Sequence, residues 1–396
     1  MPSADATRCM TFLPPQPTTH PHLLFSQPAP HPDLRLSVVV PARNEAPHLP
    51  HALDALRRQY QTDGTPLPTP LYEVLLLLNN CTDTSEAVAR AYQAQHPAFP
   101  LRLAVVHLPP DQANIGTARR LLMDAACRRL NRPDGIIAST DGDTQVDRHW
   151  IDQIRQTISL GNEVVGGRIL TLRDSGPVRR NHLRDVTYRM LVAQVETRLD
   201  PQAHDPWPRH FQHFGASLAL TCAAYLRAGG LPDVPYLEDE ALYQALLRTD
   251  ARIRKNPQVR VTTSSRLHGQ VDVGFSEQLR YWLNQNQTNQ HQLAEPAGAV
   301  IERFRCRQQL RRLWQKSEAP AGEVRAYAAA FGIDPDWLET CLQQSRYFGA
   351  CWEQIDQRLT GRADWHTRWP PVPVTQAIAE LRQFLRQTGP AHAAIQ

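Results

Sequence analysis

Two aspartates that flank a glycine, Asp141-Gly142-Asp143, are the residues of this chain best suited to chemistry. They follow the apolar run 136–138, which is typical of a buried strand. In an open α/β sheet, ligands bind at the carboxyl ends of the strands, where these carboxylates are expected. Two carboxylates so close repel each other unless one is protonated or a cation lies between them. Mg²⁺ or Mn²⁺ is the expected cation, because both prefer oxygen ligands; the alternative is an acidic turn without a ligand.

The elements before Asp141 predict that further polar loops reach the same edge of the sheet. Apolar runs alternate with segments of helical spacing, which indicates parallel strands joined by right-handed crossovers. Strands are expected at 34–40, 73–78, 101–105 and 136–138. The loops after them carry amide, carboxylate and arginine side chains, which suit a nucleotide diphosphate with a metal: 41–45, 79–83, 114–119 and 141–143.

The second half of the chain has a less regular pattern. Further strands are expected at 164–170, at 214–221 and around Val259 and Val261, with helices between them. From about Ser276 onward the spacing is helical. This arrangement predicts an α/β domain followed by a helical extension.

Composition limits the classes of protein to which the chain can belong. With 396 residues it can form one large domain or two ordinary ones. A net charge of +4 is too small to favour nucleic acid as a partner. The 7 cysteines form no C-x-x-C pair, so neither a disulfide framework nor a zinc site is expected. We find neither a transmembrane segment nor a signal peptide, and therefore expect a cytoplasmic protein.

The motifs, taken in order, resemble those of the family 2 glycosyltransferases over about residues 34–275. The first strand and its Pro41-Ala-Arg-Asn-Glu45 loop resemble that family's opening motif, and the loops at 79–84 and 114–119 resemble its next two. Asp141-Gly-Asp143 matches its Asp-x-Asp motif and Glu238-Asp239 its Glu-Asp motif. Gly215-Ala216-Ser217 resembles its acceptor-side loop.

The resemblance implies a GT-A fold, with a mostly parallel central sheet flanked by helices and here a C-terminal helical extension. It also implies a metal-dependent glycosyltransferase of the hexosyltransferase type, using Mg²⁺ or Mn²⁺. Such an enzyme moves a sugar from a nucleotide-diphospho-sugar, here a UDP- or GDP-sugar, to an acceptor hydroxyl. Inversion by direct displacement is expected. The acceptor stays unknown.

The resemblance also implies roles for individual residues. Those expected on the donor side, around the base, ribose and diphosphate, are Pro41, Arg43, Glu45, Asn79, Asn114, Gly116, Arg119 and Asp141. Asp143 would bind the metal, with His268 as a further ligand, and Asp239 would be the general base. Gly215, Ala216, Ser217 and Glu238 would lie on the acceptor side.

Each of these roles has a plainer alternative. Asp239 could be a carboxylate at a helix N-terminus, with Glu238 or Glu240 as the base instead. His268 could be an ordinary loop residue. Asn79 stands where the family often has an aspartate, which weakens any expectation of uracil specificity.

Three units are expected along the chain. Residues 1–33 form a Pro/His-rich leader that we expect to be flexible, and residues 34–275 form the catalytic domain. That domain divides into a nucleotide-sugar half at 34–143 and an acceptor half at 144–275. Residues 276–396 form the helical extension. Its arginine-rich stretch 303–312 leaves peripheral membrane contact open, and homo-oligomer formation is open too.

Three other functions are alternatives. A retaining transferase acting on a small anionic acceptor is compatible with the sequence, and the anomeric configuration of the product would distinguish it. A nucleotidyltransferase would need a glycine-rich loop after the first strand, and 41–45 contains no glycine. A non-catalytic sugar-nucleotide-binding protein would be indicated by loss of Asp143 or Asp239, and both are present. Processive polymer synthesis is not expected, because Gln278-Leu-Arg-Tyr-Trp282 lacks the Gln-x-x-Arg-Trp spacing.

Overall fold

A twisted sheet forms the centre of the molecule. The computed structural model describes residues 24–171, 176–264, 274–316 and 320–389. Within these residues the strands of the main sheet are β1 (Leu36–Ala42), β2 (Tyr72–Asn79), β3 (Leu101–Val106), β4 (Ile136–Ser139), β5 (Thr144–Val146), β6 (Val164–Thr171), β7 (Leu218–Thr221) and β8 (Ile253–Thr263). A separate antiparallel pair is formed by β9 (Leu293–Ala294) and β10 (Val372–Pro373).

The order of strands in the main sheet is β3-β2-β1-β4-β7-β6-β8-β5. The strands β3, β2, β1 and β4 run parallel to one another, and β6 runs parallel to β8. In contrast, β7 is antiparallel to β4 and β6, and β5 is antiparallel to β8. The predicted mostly parallel central sheet is therefore confirmed, with a mixed second half.

Helices cover both faces of the sheet, as the predicted fold class requires. Those of the α/β part are α1 (Leu49–Arg57), α2 (Ser85–Gln95), α3 (Ile115–Leu130), α4 (Trp150–Ser159), α5 (Arg179–Leu199), α6 (Cys222–Arg227) and α7 (Glu238–Arg248). One apolar core packs α1, α2 and α4 against the sheet, and a second packs α3, α6 and α7 against its other face. Every residue of β1 and β2 is buried, which explains their continuous apolar sequences.

The predicted helical extension is also present. Its helices are α8 (Phe275–Gln287), α9 (Ala297–Trp314), α10 (Ala321–Phe331), α11 (Pro335–Gln344), α12 (Phe348–Thr360), α13 (Ala363–Arg368) and α14 (Val374–Gln387). The extension has an apolar core of its own. It also packs on α5, where Val195 meets Val300 of α9 and Leu381 of α14. None of the helices in the described part of the chain is long and apolar enough to cross a membrane.

Some predicted boundaries were wrong. Strand β1 continues through Pro41 to Ala42, which is possible because its pairing with β4 ends at Val39 and no ladder bond is needed on that side. The strand expected at 214–221 begins only at Leu218, because Gly215–Ser217 forms a 3₁₀ turn. The leader is described only from residue 24. There Phe25 is buried, and Arg129 donates hydrogen bonds to the Phe25 and Pro28 carbonyl groups, so the end of the leader packs on the domain.

Candidate active site

The loops that follow β1 and β2 are joined by hydrogen bonds. Asn44 Oδ1 accepts from the Thr82 amide at 2.7 Å and from the Asp83 amide at 3.3 Å. Arg43 Nη1 donates to the Ala113 carbonyl oxygen at 3.2 Å, which ties the segment before α3 to the same place. The convergence of these loops at one edge of the sheet is therefore present in the fold.

The Asp-x-Asp turn packs directly against the first loop. A Cβ atom on Gly142 would lie 2.9 Å from Ala42 Cβ and 3.5 Å from Glu45 Cγ. Such a contact is too short for any side chain, so glycine is required for the turn to lie at the end of β1. The buried Glu45 therefore lies directly beside the Asp-x-Asp turn.

Asp143 lies beside the end of β8. Ser264 Oγ donates to Asp143 Oδ2 at 2.5 Å, and Thr144 Oγ1 donates to Asp143 Oδ1 at 3.4 Å. The hydroxyl groups of Thr144 and Thr263 are also bonded, at 3.0 Å. His268, the expected further metal ligand, lies outside the described residues.

Arg119 lies at the centre of the site, and only 4% of this residue is exposed. Its Nη2 donates to Asp141 Oδ1 at 2.8 Å and its Nε to Glu238 Oε1 at 2.9 Å. Its Nη1 donates to the Gly215 carbonyl oxygen at 3.1 Å and also to Ser139 Oγ. One arginine therefore joins the end of β4, the Asp-x-Asp motif, the acceptor-side turn and the Glu-Asp motif.

These contacts perturb the charges of the site. Burial raises the pKa of Asp141, with Arg119 opposing this effect and the negative charges of Asp143 and Asp239 adding to it. Burial likewise raises the pKa of Glu238 despite its bond to Arg119. Burial alone would lower the pKa of Arg119, but the carboxylates of Asp141 and Glu238 raise it. The site is thus a cluster of interacting carboxylates around one buried cation.

Three consecutive acidic residues at the start of α7 hold the turn at 213–215. Glu238 binds Arg119, which binds the Gly215 carbonyl. Asp239 Oδ2 accepts from the Gly215 amide at 2.8 Å, and its Oδ1 accepts from the Glu240 amide at 2.8 Å. Glu240 Oε2 lies 2.6 Å from His213 Nε2. Both Asp239 oxygens keep a further acceptor position, which a general base needs.

Glu240 was considered as an alternative base, but its contact with His213 was not predicted from the sequence. The His213 ring stacks on Tyr243 with centroids 3.8 Å apart, and Gln244 Nε2 donates to Glu240 Oε1 at 2.6 Å. The hydrogen bond from His213 lowers the pKa of Glu240 to about 2, against the opposing effect of burial. Glu240 is thus bonded to the side chains of His213 and Gln244, whereas Asp239 accepts only from backbone amides, so Asp239 stays the candidate base.

The backbone before these acids is strained. Leu237 has a φ angle of 55° and is 54% exposed. A leucine rarely adopts this left-handed conformation, and such residues cluster at functional sites. Here it turns the chain so that Glu238 and Asp239 point toward Arg119 and Gly215.

The remaining residues that were expected on the acceptor side are tightly packed. Gly215 leaves space for Arg119, since a Cβ atom there would lie 2.6 Å from Arg119 Cζ. The buried Ser217 accepts a hydrogen bond from Trp150 Nε1 at 3.0 Å. Ala216 lies in the same 3₁₀ turn. These residues position the turn and offer few polar groups to a ligand.

Several residues expected on the donor side also have structural functions. Asn114 is the N-cap of α3, and its Oδ1 accepts from the Thr117 amide at 2.9 Å. Gly116 allows the helix to lie against the Val234 carbonyl. Asn79 is buried at the end of β2. The cap could have been recognised from the sequence, because asparagine directly before a helix is a common N-cap.

The oxygen ligands available suit a hard cation. In the described residues, no group of three or more His, Cys, Asp or Glu side chains is arranged to hold a metal ion. Asp141 and Asp143 supply carboxylate oxygens at the edge of the sheet. A pair of carboxylates fits Mg²⁺ or Mn²⁺ better than Zn²⁺, since the first two often complete their coordination with phosphate and water oxygens.

Comparison with protein families agrees with this arrangement. Residues 37–219 match the model described as Glycosyl transferase family 2. This part of the chain is similar to that family. The match includes all of the loops that follow β1, β2 and β4 and the turn at Gly215–Ser217, whereas the Glu-Asp motif lies beyond it.

A curated relative and two solved structures are similar to the chain. It is 31% identical to the dolichyl-phosphate beta-glucosyltransferase of Drosophila melanogaster over 135 residues, which is 34% of this chain and 39% of that relative. The protein in the crystal structure of S. aureus TarS 1-349 with UDP is 12% identical in sequence. The match covers 83% of this chain and 92% of the TarS chain, with a TM-score of 0.42. The structure of the mannosyltransferase PcManGT from Pyrobaculum calidifontis, in complex with GDP-Man and Mn²⁺, is 16% identical in sequence. The match covers 91% of this chain and 90% of PcManGT, with a TM-score of 0.39.

Proposed function

We propose that this family 2 domain is a metal-dependent glycosyltransferase that moves a sugar from a UDP- or GDP-sugar to an acceptor hydroxyl. One observation carries the proposal. Arg119 binds both Asp141 and Glu238, so that the Asp-x-Asp and Glu-Asp motifs, which are far apart in the sequence, face a single site. That site combines a candidate metal position with a candidate base, which are the two features that sugar transfer requires.

The metal would be held by Asp143, with Asp141 beside it. When bound, Mg²⁺ or Mn²⁺ neutralises the negative charge that develops on a departing diphosphate. Ser264 and Thr144 hold the Asp143 carboxylate in place through its two oxygens. Asp141 is held by Arg119, which fixes the orientation of the turn between the two carboxylates.

Asp239 would act as the general base. Its carboxylate accepts the proton of the acceptor hydroxyl while that oxygen forms a bond to the anomeric carbon of the sugar. The bond from the anomeric carbon to the diphosphate oxygen breaks, and its electron pair leaves with the nucleoside diphosphate. Attack from the side opposite the leaving group gives inversion. The amides of Gly215 and Glu240 hold Asp239 in a fixed orientation.

The resemblance implies that Arg119 contacts the diphosphate. In this structure Arg119 would instead position the carboxylates of the site. Its guanidinium is buried and donates to four protein acceptors. An arginine used in this way has little capacity left for a ligand. Arg43, which is exposed and lies at the loop after β1, is the better candidate for a direct contact with the donor.

A thermal-shift screen with UDP-, GDP-, dTDP- and CDP-sugars, each with and without Mn²⁺ or Mg²⁺, tests the donor assignment. We expect a rise in Tm that needs both the metal and one type of nucleotide, because a ligand that binds only the folded state stabilises it. A rise with sugar nucleotide alone would contradict metal dependence. No rise with any pair would contradict the assignment of a nucleotide-sugar donor.

The stereochemistry needs a separate measurement. Proton NMR of the product formed from a donor of known anomeric configuration shows whether that configuration is inverted or retained. We expect inversion. Retention would favour the alternative of a retaining transferase and would remove Asp239 from the role of general base.

A further inference from the structure

The segment between α5 and the Gly215 turn has almost no regular secondary structure. Residues 200–214 contain neither helix nor strand, and Pro206 and Pro208 cannot donate backbone hydrogen bonds. This segment, which we call the acceptor-side segment, leads directly into the turn that Asp239 holds. Its position therefore depends on single contacts of its side chains and carbonyl groups, and Arg254 of β8 donates to the carbonyl oxygens of Pro206 and Pro208.

Buried charges fix the acceptor-side segment to the sheet and to α5. Arg209 lies 2.9 Å from Glu196 of α5 and 2.9 Å from Asp205, and both Arg209 and Asp205 are buried. Further along the segment, the Gln212 side chain forms two hydrogen bonds with the backbone of β6. Its Oε1 accepts from the Ile169 amide at 2.8 Å and its Nε2 donates to the Ile169 carbonyl at 3.0 Å.

Two arginines of the C-terminal extension also bind acidic residues at the end of α5. Arg307 of α9 donates to Asp200 Oδ2 at 2.6 Å and to Glu196 Oε1 at 2.8 Å. Arg311 donates to both oxygens of Asp200 at 2.9 and 3.0 Å. Asp200, at the end of α5, is only 2% exposed. The start of the acceptor-side segment is thus held between two arginines of the extension.

The extension also holds the far end of α7, whose first residues carry the proposed base. Asp250 accepts from the amides of Phe348 and Gly349, both at 2.7 Å, at the start of α12. Arg248 donates to both oxygens of Glu353 at 2.6 and 2.7 Å. Helix α7 is therefore fixed to the extension at one end and to the acceptor-side segment at the other.

One ion pair within the extension closes this series of contacts. Arg303 of α9 donates to both oxygens of Asp356 of α12, each at 2.8 Å. The series consequently runs from α9 to α5, through the acceptor-side segment to α7, then to α12 and back to α9. A closed series restricts the separation of α5 and α7, which is the distance that the acceptor-side segment must span.

We propose that the extension, through Arg307 and Arg311, positions the acceptor-side segment and with it the Gly215 contact to Asp239. The proposal deepens the proposed function and rests on it, because it assigns the extension to acceptor use and not to donor binding. The arginines act through Glu196 and Asp200 and are positioning residues. No contact with substrate is required of them.

The test uses the full chain and a matched pair of double variants. Arg307→Met with Arg311→Met removes the cations that bind Asp200 and leaves its buried carboxylate without an arginine. Arg305→Met with Arg312→Met removes the same number of charges from exposed positions of the same helix and serves as the control. Arg307→Lys with Arg311→Lys keeps the charge but loses the paired hydrogen bonds, and gives an intermediate case that retains more stability.

Amide hydrogen exchange is the first readout, because it needs no substrate. We expect exchange at residues 209–217 to be roughly tenfold faster or more in the Met variant than in the control, with an intermediate change in the Lys variant. Exchange in β1 and β2 should not change. Faster exchange confined to α5 and α9, with 209–217 unaffected, would overturn the proposal.

Kinetics provide the second readout. In the Met variant we expect kcat/KM for the acceptor to fall roughly tenfold or more while the donor Kd stays within about twofold of the control. Equal losses for donor and acceptor would indicate general destabilisation and overturn the positioning role. Failure of the unaltered protein to turn over any donor would count against the proposed function alone, since the exchange result is independent of turnover.

Discussion

Arg119 Nε donates a 2.9 Å hydrogen bond to Glu238 Oε1, and both side chains are buried. This bond links α3 to the residue that precedes the proposed base. The ion pair therefore connects the Asp-x-Asp side of the candidate site with the start of α7.

Replacing Arg119 with methionine should destabilise the protein strongly. The change leaves Glu238 buried without its cation, and breaking such a pair costs about 3–5 kcal/mol in the free energy of unfolding. Urea denaturation measures this loss. Arg120→Met is the control. The Arg120 side chain is 24% exposed and that of its partner Asp233 is 74% exposed, so this ion pair should contribute less than about 1 kcal/mol to the free energy of unfolding. Similar losses for the two variants would contradict the central position of Arg119.

Replacing Asp239 with asparagine should remove the base and keep most of the local structure. The single asparagine oxygen can still accept from the Gly215 amide, while the hydrogen bond from the Glu240 amide is lost, and donor binding should be retained. Turnover should fall by on the order of a hundredfold or more, because proton removal from the acceptor is lost. Glu240→Gln, measured in parallel with initial rates, should have a smaller effect. The reverse order of the two effects would assign the base to Glu240.

Replacing Gly215 with alanine should displace the guanidinium of Arg119. The new Cβ would lie 2.6 Å from Arg119 Cζ, and such overpacking costs roughly 1–3 kcal/mol. Turnover should fall by roughly tenfold or more, because the misplaced turn also holds Asp239. Gly322→Ala is the matched control. Its Cβ would meet no atom within 4 Å, and alanine there favours helix α10 by up to about 1 kcal/mol. An equally harmless Gly215→Ala would contradict the packing described here.

Stability should fall with acid because of His210. Burial and the nearby charges of Lys255 and Arg209 lower its pKa to about 3. Between this value and the ordinary value of 6.5, the unfolded chain binds a proton that the folded chain does not, so the free energy of unfolding decreases as the pH falls through this range. The contribution is at most about 1.4 kcal/mol per pH unit. Urea denaturation from pH 7 to pH 4 should show a shallower slope for His210→Gln, whereas the exposed His51→Gln should keep the slope of the unaltered protein.

The first half of the fold could be predicted well because its signals are local. Strands β1 and β2 are buried on both faces, which requires continuous apolar runs that are visible in the sequence. In contrast, β5 has only 3 residues, too few to show a pattern. The antiparallel direction of β7 was also not predictable, because strand direction is decided by tertiary connections that periodicity does not record.

The sequence indicated which residues lie near the candidate site better than it indicated their contacts. The motifs pointed to Asp141, Asp143 and Asp239, whose roles stay predictions, and the fold brings Asp141 and Asp239 close enough to influence each other's charge. The burial of Arg119 could not be foreseen, since a buried arginine and an exposed one look the same in a sequence. The His213–Glu240 contact was equally hidden, because it joins a residue of an irregular segment to a residue of helix α7 that lies 27 positions away in the sequence.

The central claim, metal-dependent binding of a nucleotide sugar at the Asp-x-Asp turn, is tested most directly by titration calorimetry with Asp143→Asn. The donor from the thermal-shift screen is titrated into the unaltered protein and the variant, each with and without Mn²⁺. We expect binding to the unaltered protein to weaken strongly without Mn²⁺, and binding to the variant to be weak in both conditions with its Tm nearly unchanged. Equal donor affinity of the variant and the unaltered protein in Mn²⁺ would contradict the assignment of Asp143 as the metal ligand.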